Sequence, residues 1–176
     1  MRRLRYRVAM SLDGFIAGAK GEYDWIVADP SIDWVAIWAQ FDACLMGRGT
    51  YEVAKSRRAL LSGAGQQWIV VSSTLKTEDN PGITILSSGV AEAVAALKAQ
   101  PGKDIWLFGG GVLFRSMLDA GLVDTVEVAV MPVMLGSGVP LLPEGPRRTL
   151  HLTESEALPS GILMLSYTVV AESAVG

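Results

Sequence analysis

Three consecutive glycines, Gly109, Gly110 and Gly111, are the residues of this 176-residue chain whose type and spacing are best suited to chemistry. They follow the apolar run Ile105, Trp106, Leu107 and Phe108, which reads as a buried strand. They precede a helix-length segment carrying Val112, Leu113, Arg115, Met117 and Leu118, with Gly121 where a residue just past a helix C-terminus is expected. Missing Cβ atoms let a ligand or a second backbone approach closely, and the N–H groups of a helix start carry partial positive charge. That combination suits a phosphate; the alternative is a tight turn that needed glycine. It is not the G-x-G-x-x-G fingerprint, because Phe114 and Arg115 stand where the third glycine would come. Two other stretches repeat the arrangement. The short apolar run Ala43 to Met46 passes through Gly47, Arg48, Gly49 and Thr50 into a helix expected over Tyr51 to Lys55. There a guanidinium beside helix N–H groups offers paired, charge-assisted donors, unless Arg48 is simply solvated. Trp68 to Val71 ends in Ser72, Ser73 and Thr74 with Lys76 near by, hydroxyls that suit a ribose or phosphate or an ordinary turn.

The elements that must hold these loops follow from periodicity. Tyr6, Val8, Met10 and Leu12 alternate with Arg5, Arg7, Ala9 and Ser11, predicting a strand with one face in a core. Ser31 is a candidate cap for a helix over Asp33 to Phe41, whose Val35, Ile37, Trp38 and Phe41 either pack in the core or line a pocket. A strand over Ile83 to Leu86 and a helix from Ser88, with Val90, Val94 and Leu97 at helical spacing, come next. After the glycine run and its helix lie an alternating strand, Leu122 to Val133, and two last strands, about Leu150 to Glu156 and Ile162 to Val170, joined at Pro159-Ser160-Gly161 as in a hairpin. This order predicts one α/β domain of three layers over residues 1–176, with a mostly parallel central sheet and antiparallel C-terminal edge strands. In such sheets ligands lie beyond the carboxyl ends of the strands, where all three suspected phosphate contacts fall. One extended ligand with several phosphates, as a dinucleotide has, accounts for the three together.

Composition narrows the classes. A net charge of −3 with scattered charges argues against a nucleic-acid surface, which needs a basic face. No apolar run approaches the roughly 20 residues that span a bilayer. The basic start MRRLRYR is followed by too short an apolar stretch for a secretory leader, so a cytoplasmic protein is expected. One cysteine, Cys44, cannot form an internal disulfide and reads as core packing, and one histidine, His151, cannot anchor a His-rich metal site, so no metal is expected.

Taken together, VAMSLDGFIAG (Val8 to Gly18), GEYDWI (Gly21 to Ile26), LMGRGTYE (Leu45 to Glu52), VVSSTL (Val70 to Leu75), LFGGGVLFRSMLDAGLVDTV (Leu107 to Val126) and PVMLGSGVPLL (Pro132 to Leu142) resemble the dihydrofolate reductase superfamily. The branch they resemble is that of the reductase domain of bacterial riboflavin biosynthesis. The resemblance implies a dihydrofolate reductase-like fold, NADPH as cofactor, and hydride transfer to a C=N or C=O of a small pterin-, pyrimidine- or similar heterocycle-like substrate. Carried over residue by residue, it places Ala9 and Ile16 beside the nicotinamide and Gly47, Arg48 and Thr50 on the phosphates. Ser72 and Ser73 take the adenosine side with its 2′-phosphate, and Gly109, Gly110, Gly111, Val112 and Leu113 cover the pyrophosphate and nicotinamide ribose. It also implies a cis bond between Gly109 and Gly110. For the substrate side the candidates are Asp33, as an acid on the first helix or else a helix N-terminal carboxylate, and Asp13, in the loop over the nicotinamide or else an ordinary Asp-Gly turn. Trp25 and Trp38 are candidate substrate walls. The chain departs from the riboflavin enzymes by lacking their Asp-Pro-x-Leu-Thr-x-Arg segment, reading AKSRRALLSGAGQQ (Ala54 to Gln67) instead. It departs from the folate enzymes by an Asp33 two residues closer to Gly47-Arg48. Related domains commonly pair, and the alternating C-terminal strands predict a homodimer. A different class, a nucleotide-binding or sensing protein without turnover, would use the same pocket.

Overall fold

The computed structural model describes residues 1–56 and 65–171, so most of the AKSRRALLSGAGQQ stretch lies outside the described residues. The elements are β1 (Leu4–Ser11), β2 (Phe15–Ala17), α1 (Trp34–Trp38), β3 (Phe41–Gly47), α2 (Arg48–Ser56), β4 (Gln67–Val71), β5 (Ile83–Leu86), α3 (Val90–Ala99), β6 (Asp104–Gly109), α4 (Gly111–Asp119), β7 (Thr125–Met131), β8 (Val139–Pro140), β9 (Leu150–Ala157) and β10 (Leu163–Val169). Eight strands form one sheet in the order β5-β4-β3-β6-β1-β7-β10-β9. The six from β5 to β7 run parallel, and β10 and β9 close the sheet as antiparallel edge strands. The short strands β2 and β8 pair separately. The expected three-layer, mostly parallel architecture is borne out. No helix among the described residues is long and apolar enough to cross a membrane.

Strand alternation sorts the core into two clusters, one on each face. Leu4 and Tyr6 of β1, Leu45 of β3, Ile105 and Leu107 of β6 and Val126, Val128 and Val130 of β7 meet Val94 of α3 and Leu113, Phe114, Met117 and Leu118 of α4. Cys44 and Met46, Trp68 and Val70, and Trp106 point the other way, against Ile37 of α1 and Tyr51 and Ala54 of α2. Cys44 is fully buried, and that apolar burial pushes its thiol pKa up to about 12. Helix α4 stops where the sequence indicates. Gly121, at φ 67°, takes the left-handed conformation, and the N–H groups of Gly121 and Leu122 return to the carbonyls of Leu118 and Met117.

Among the boundaries that differ from the sequence reading, several have a direct physical reason. The first helix covers only Trp34–Trp38, because Phe41 joins the sheet and packs its ring 5.0 Å from Trp106 instead of extending an apolar helical stripe. Its cap is Asp33, whose Oδ1 accepts from the Ala36 N–H at 2.9 Å, while the Ser31 hydroxyl donates to Asp29. Helix α3 begins at Val90 behind Gly89, and Ser88 does not cap it. Strand β7 ends at Met131, since Pro132 has no N–H to continue the ladder.

Candidate functional site

The carboxyl ends of β3, β4 and β6 lie side by side, because Gly47 pairs with Val71 and Met46 with Gly109. The three suspected loops are therefore neighbours. Arg48, the first residue of α2, donates through Nη1 to Thr74 Oγ1 at 2.8 Å and pairs through Nε with Glu52 at 3.2 Å. Two of its five N–H groups are thus directed and its half-exposed guanidinium faces solvent at the sheet edge. Ser72 is buried, and its hydroxyl oxygen accepts from the N–H groups of Thr74 (3.2 Å) and Leu75 (3.1 Å); it shapes the loop, leaving the exposed Ser73 to face outward.

The glycine run meets this pair through Thr50. Gly109 has φ 144°, which only glycine adopts freely, and a Cβ there would lie 3.3 Å from Thr50 Oγ1. One on Gly110 would lie 3.6 Å from the same oxygen. The Gly109–Gly110 bond is cis, as the resemblance implies. Gly111 opens α4, so Val112, which is exposed, and Leu113 present first-turn N–H groups that have no acceptor within the helix. Cβ positions on Gly47 and Gly49 meet nothing within 4 Å, so the edge is open above them. A guanidinium, two helix starts and several hydroxyls around an open glycine-lined edge make a donor set for a ligand with several phosphates.

A flap closes one end of this edge. Ile16 lies in β2, which pairs with β8, and Ala9 lies on β1 opposite Ala129 of β7. Asp13 clasps the flap: it accepts from the Ser11 hydroxyl (2.6 Å) and from the N–H groups of Leu135 (3.1 Å) and Gly136 (2.7 Å). The Ser11 bond and these two amides hold its carboxyl below the usual carboxylate range. Asp13 thus ties the two corners of the flap together, and the Asp33 carboxylate caps α1.

On the opposite wall Trp38 stands 4.6 Å from Trp106 and 6.2 Å from Phe108, ring centre to ring centre, and also lines a cavity of about 520 Å³ with Trp34 and Gln66. Trp25 is half-buried, gives its indole N–H to the Glu22 carbonyl and makes no ring contact with Trp38 among the described residues. A second cavity of about 580 Å³ lies at the opposite end of the sheet, around Asp124 and Thr168. Neither cavity holds the three loops, and the open carboxyl edge is where the polar donors gather.

Sequence reasoning missed the charges on the face of β1 that carries Ala9. Arg5 and Glu127 are both buried, and Arg5 donates to Glu127 through Nε (2.6 Å) and Nη2 (2.9 Å). Burial opposes ionisation of Glu127, yet the bonds and charges of Arg5 and Arg7 outweigh it and hold the carboxyl low. No local signal marked them: Arg5, Arg7 and Glu127 fall on the polar phase of regularly alternating strands, which reads as a solvent face.

A sequence model of the RibD C-terminal domain matches residues 2–164, nearly the whole chain. The chain belongs to the RibD C-terminal domain family. Among its relatives, the Bacillus subtilis (strain 168) protein YyaP, itself uncharacterized, is 33% identical over 94% of both chains. A RibD riboflavin biosynthesis protein from Corynebacterium ammoniagenes is 27% identical over 77% of this chain and 44% of its own length. In structure the chain resembles a dihydrofolate reductase from Enterococcus faecalis, solved complexed with NADP(H), at TM-score 0.66 and 19% identity over 95% and 96% of the two chains. That likeness shows the fold. Within the RibD family fold, the glycine run, Arg48 and the Asp13 clasp all lie at one end of the sheet.

Proposed function

We propose that this chain is an NADPH-dependent reductase, acting as one domain over residues 1–176, whose substrate is a small heterocycle-like molecule with a C=N or C=O. The observation that carries the reading is the junction of three donor-rich loops at one sheet edge, where Arg48 reaches Thr74 and Thr50 borders Gly109 and Gly110. Membership of the RibD family and the NADP(H) bound by the Enterococcus faecalis enzyme support it. When bound, the reduced nicotinamide supplies the hydride. The chain's residues bind and orient. Gly47, Arg48 and Thr50 hold phosphate oxygens, Ser73 and Arg48 take the 2′-phosphate in the loop that Ser72 shapes, and the first-turn amides of α4 from Gly111 to Leu113 face the pyrophosphate. Ala9 and Ile16 flank the nicotinamide. Asp13 positions the flap over it, and Asp33 fixes the helix that carries Trp38 towards the substrate, with Trp25 on the facing loop.

Titration with NADPH and NADH tests binding, and following nicotinamide absorbance over a panel of acceptors tests turnover. Binding without turnover across the panel would favour the sensing protein; no binding of either nucleotide would end both readings. Arg48→Ala should weaken NADPH by about 1.5–3 kcal/mol, roughly 10- to 150-fold, through loss of a charged contact. Unchanged affinity would remove Arg48 from the site.

The wall opposite the flap carries a pH prediction. Asp29 accepts from the Ser31 N–H (2.8 Å) and hydroxyl (2.5 Å) and from the Ser160 N–H (3.3 Å), tying the loop before α1 to the β9–β10 turn. Donors on Ser160 and Ser31 lower its pKa to about 2. An unfolded aspartate titrates near about 3.9, so this contribution is complete above that pH and fades as pH falls towards 2. Thermal melts from pH 5 to pH 2 should show a shallower acid loss for Asp29→Asn than for the unsubstituted chain; parallel curves would contradict the tie.

The chain is also proposed to pair as a homodimer through its C-terminal strands. All eight residues of β9 are exposed, and Leu150 and Leu152 lie on this open edge strand opposite Val169 and Tyr167 of β10. Sedimentation velocity should give twice the chain mass, and a monomer at micromolar concentration would refute it.

A further inference from the structure

On the face of β1 that holds Ala9, arginines and acids alternate in a line. Arg3 donates to Asp104 at 2.6 Å, Arg5 to Asp104 at 3.3 Å and to Glu127, and Arg7 through Nη1 to Glu127 at 2.9 Å. Three cations against two anions leave one positive charge in excess. Arg3, with 55% of its side chain exposed, ends the line in solvent. Arg7 ends it at the other side, two residues before Ala9, with 19% of its side chain exposed and Glu127 as its one salt-bridge partner among the described residues. The Trp106 indole donates to the Arg7 carbonyl at 3.0 Å, which sets the aromatic wall of Trp106, Phe108 and Trp38 beside the same strand position. The acid of the neighbouring helix, Asp33, is directed at the Ala36 N–H.

We propose that Arg7 reads an anionic oxygen on the substrate, so that the molecule reduced here is flat, conjugated and carries a carboxylate or comparable oxyanion on the edge lying against β1. This rests on the reading of the cleft beside Ala9 as the substrate side of a reductase. Glu127 fixes the guanidinium from one side through Nη1, and a guanidinium offers a carboxylate paired donors in one plane. In a partly buried site that pairing is much stronger than in water. The excess positive charge selects against a basic ring, which an acidic side chain would be needed to hold. Trp38 and Phe108, the two half-buried rings packed on Trp106, supply the flat surface.

Calorimetric titration with 2-naphthoate and 2-naphthamide, nearly identical in shape and different in charge, tests this on the full chain with and without NADPH. The unsubstituted protein should bind the carboxylate about tenfold or more tighter than the amide. Arg7→Met should erase that preference, Arg7→Lys should keep it within roughly threefold, and both should hold NADPH within about twofold of the unsubstituted chain. Should Arg7→Met melt below the assay temperature, Arg7→Gln, which keeps a donor for Glu127 and drops the charge, decides in its place. Equal binding of the two probes by the unsubstituted protein, or a preference that survives Arg7→Met or Arg7→Gln, overturns the proposal. Failure of NADPH to bind overturns the reductase reading instead, and the probe preference still decides Arg7.

Discussion

Glu127→Gln should lower the unfolding free energy by about 3–5 kcal/mol, read as a drop in the urea midpoint at constant slope. The substitution keeps the shape, removes the charge and replaces one of the two acceptor oxygens, both of which receive only donors, by an NH2 group. Arg5 is 8% exposed and cannot turn to water, so its guanidinium is left with Asp104 at 3.3 Å and the Gln40 side chain at 2.8 Å. A buried cation left short of counter-charge costs far more than the pair gains over an apolar filling. The double variant Arg5→Met/Glu127→Leu should therefore recover most of the loss. A deficit below about 1 kcal/mol for Glu127→Gln would mean that water already reaches the pair.

Trp106→Ala should cost a similar amount, about 3–5 kcal/mol, and should also loosen the substrate side of the cleft. The indole is 4% exposed and touches three rings, with centroids 4.6 Å from Trp38 and 5.0 Å from both Phe41 and Phe108. Truncation opens a cavity beneath α1 and leaves the Arg7 carbonyl without its donor. Helix α1 has only five residues and holds its place by this packing. Near-ultraviolet circular dichroism should lose intensity beyond the share of one tryptophan. A variant that keeps the midpoint within about 1 kcal/mol would show that Trp38 and Phe108 collapse into the gap.

Much of the sheet was legible because its signals are local. The alternation of Tyr6, Val8 and Met10, the apolar run before Gly109 and the hairpin around Ser160 depend on neighbours within a few residues. The three phosphate-suited loops were legible for the same reason, each being a strand end that runs into glycine or hydroxyls. What stayed hidden depends on which strands become neighbours. Arg5 and Arg7 read as the solvent face of a strand until the sheet sets β7 beside β1 and brings Glu127 across from Arg7. Asp13 read as a substrate-side acid or an Asp-Gly turn residue, and its bonds to the Leu135 and Gly136 amides appear only on folding. Phe41 matched a helical period, and only the aromatic partners at Trp106 and the Arg5 guanidinium 4.8 Å above its ring draw it into a strand.

The Asp13 clasp also couples two distant parts of the chain. The corner after β1 and the corner after β7 are bound by one carboxylate with two amides, so they are held as a unit although more than a hundred residues separate them along the chain. Removing the Asp13 carboxylate therefore frees both corners at once.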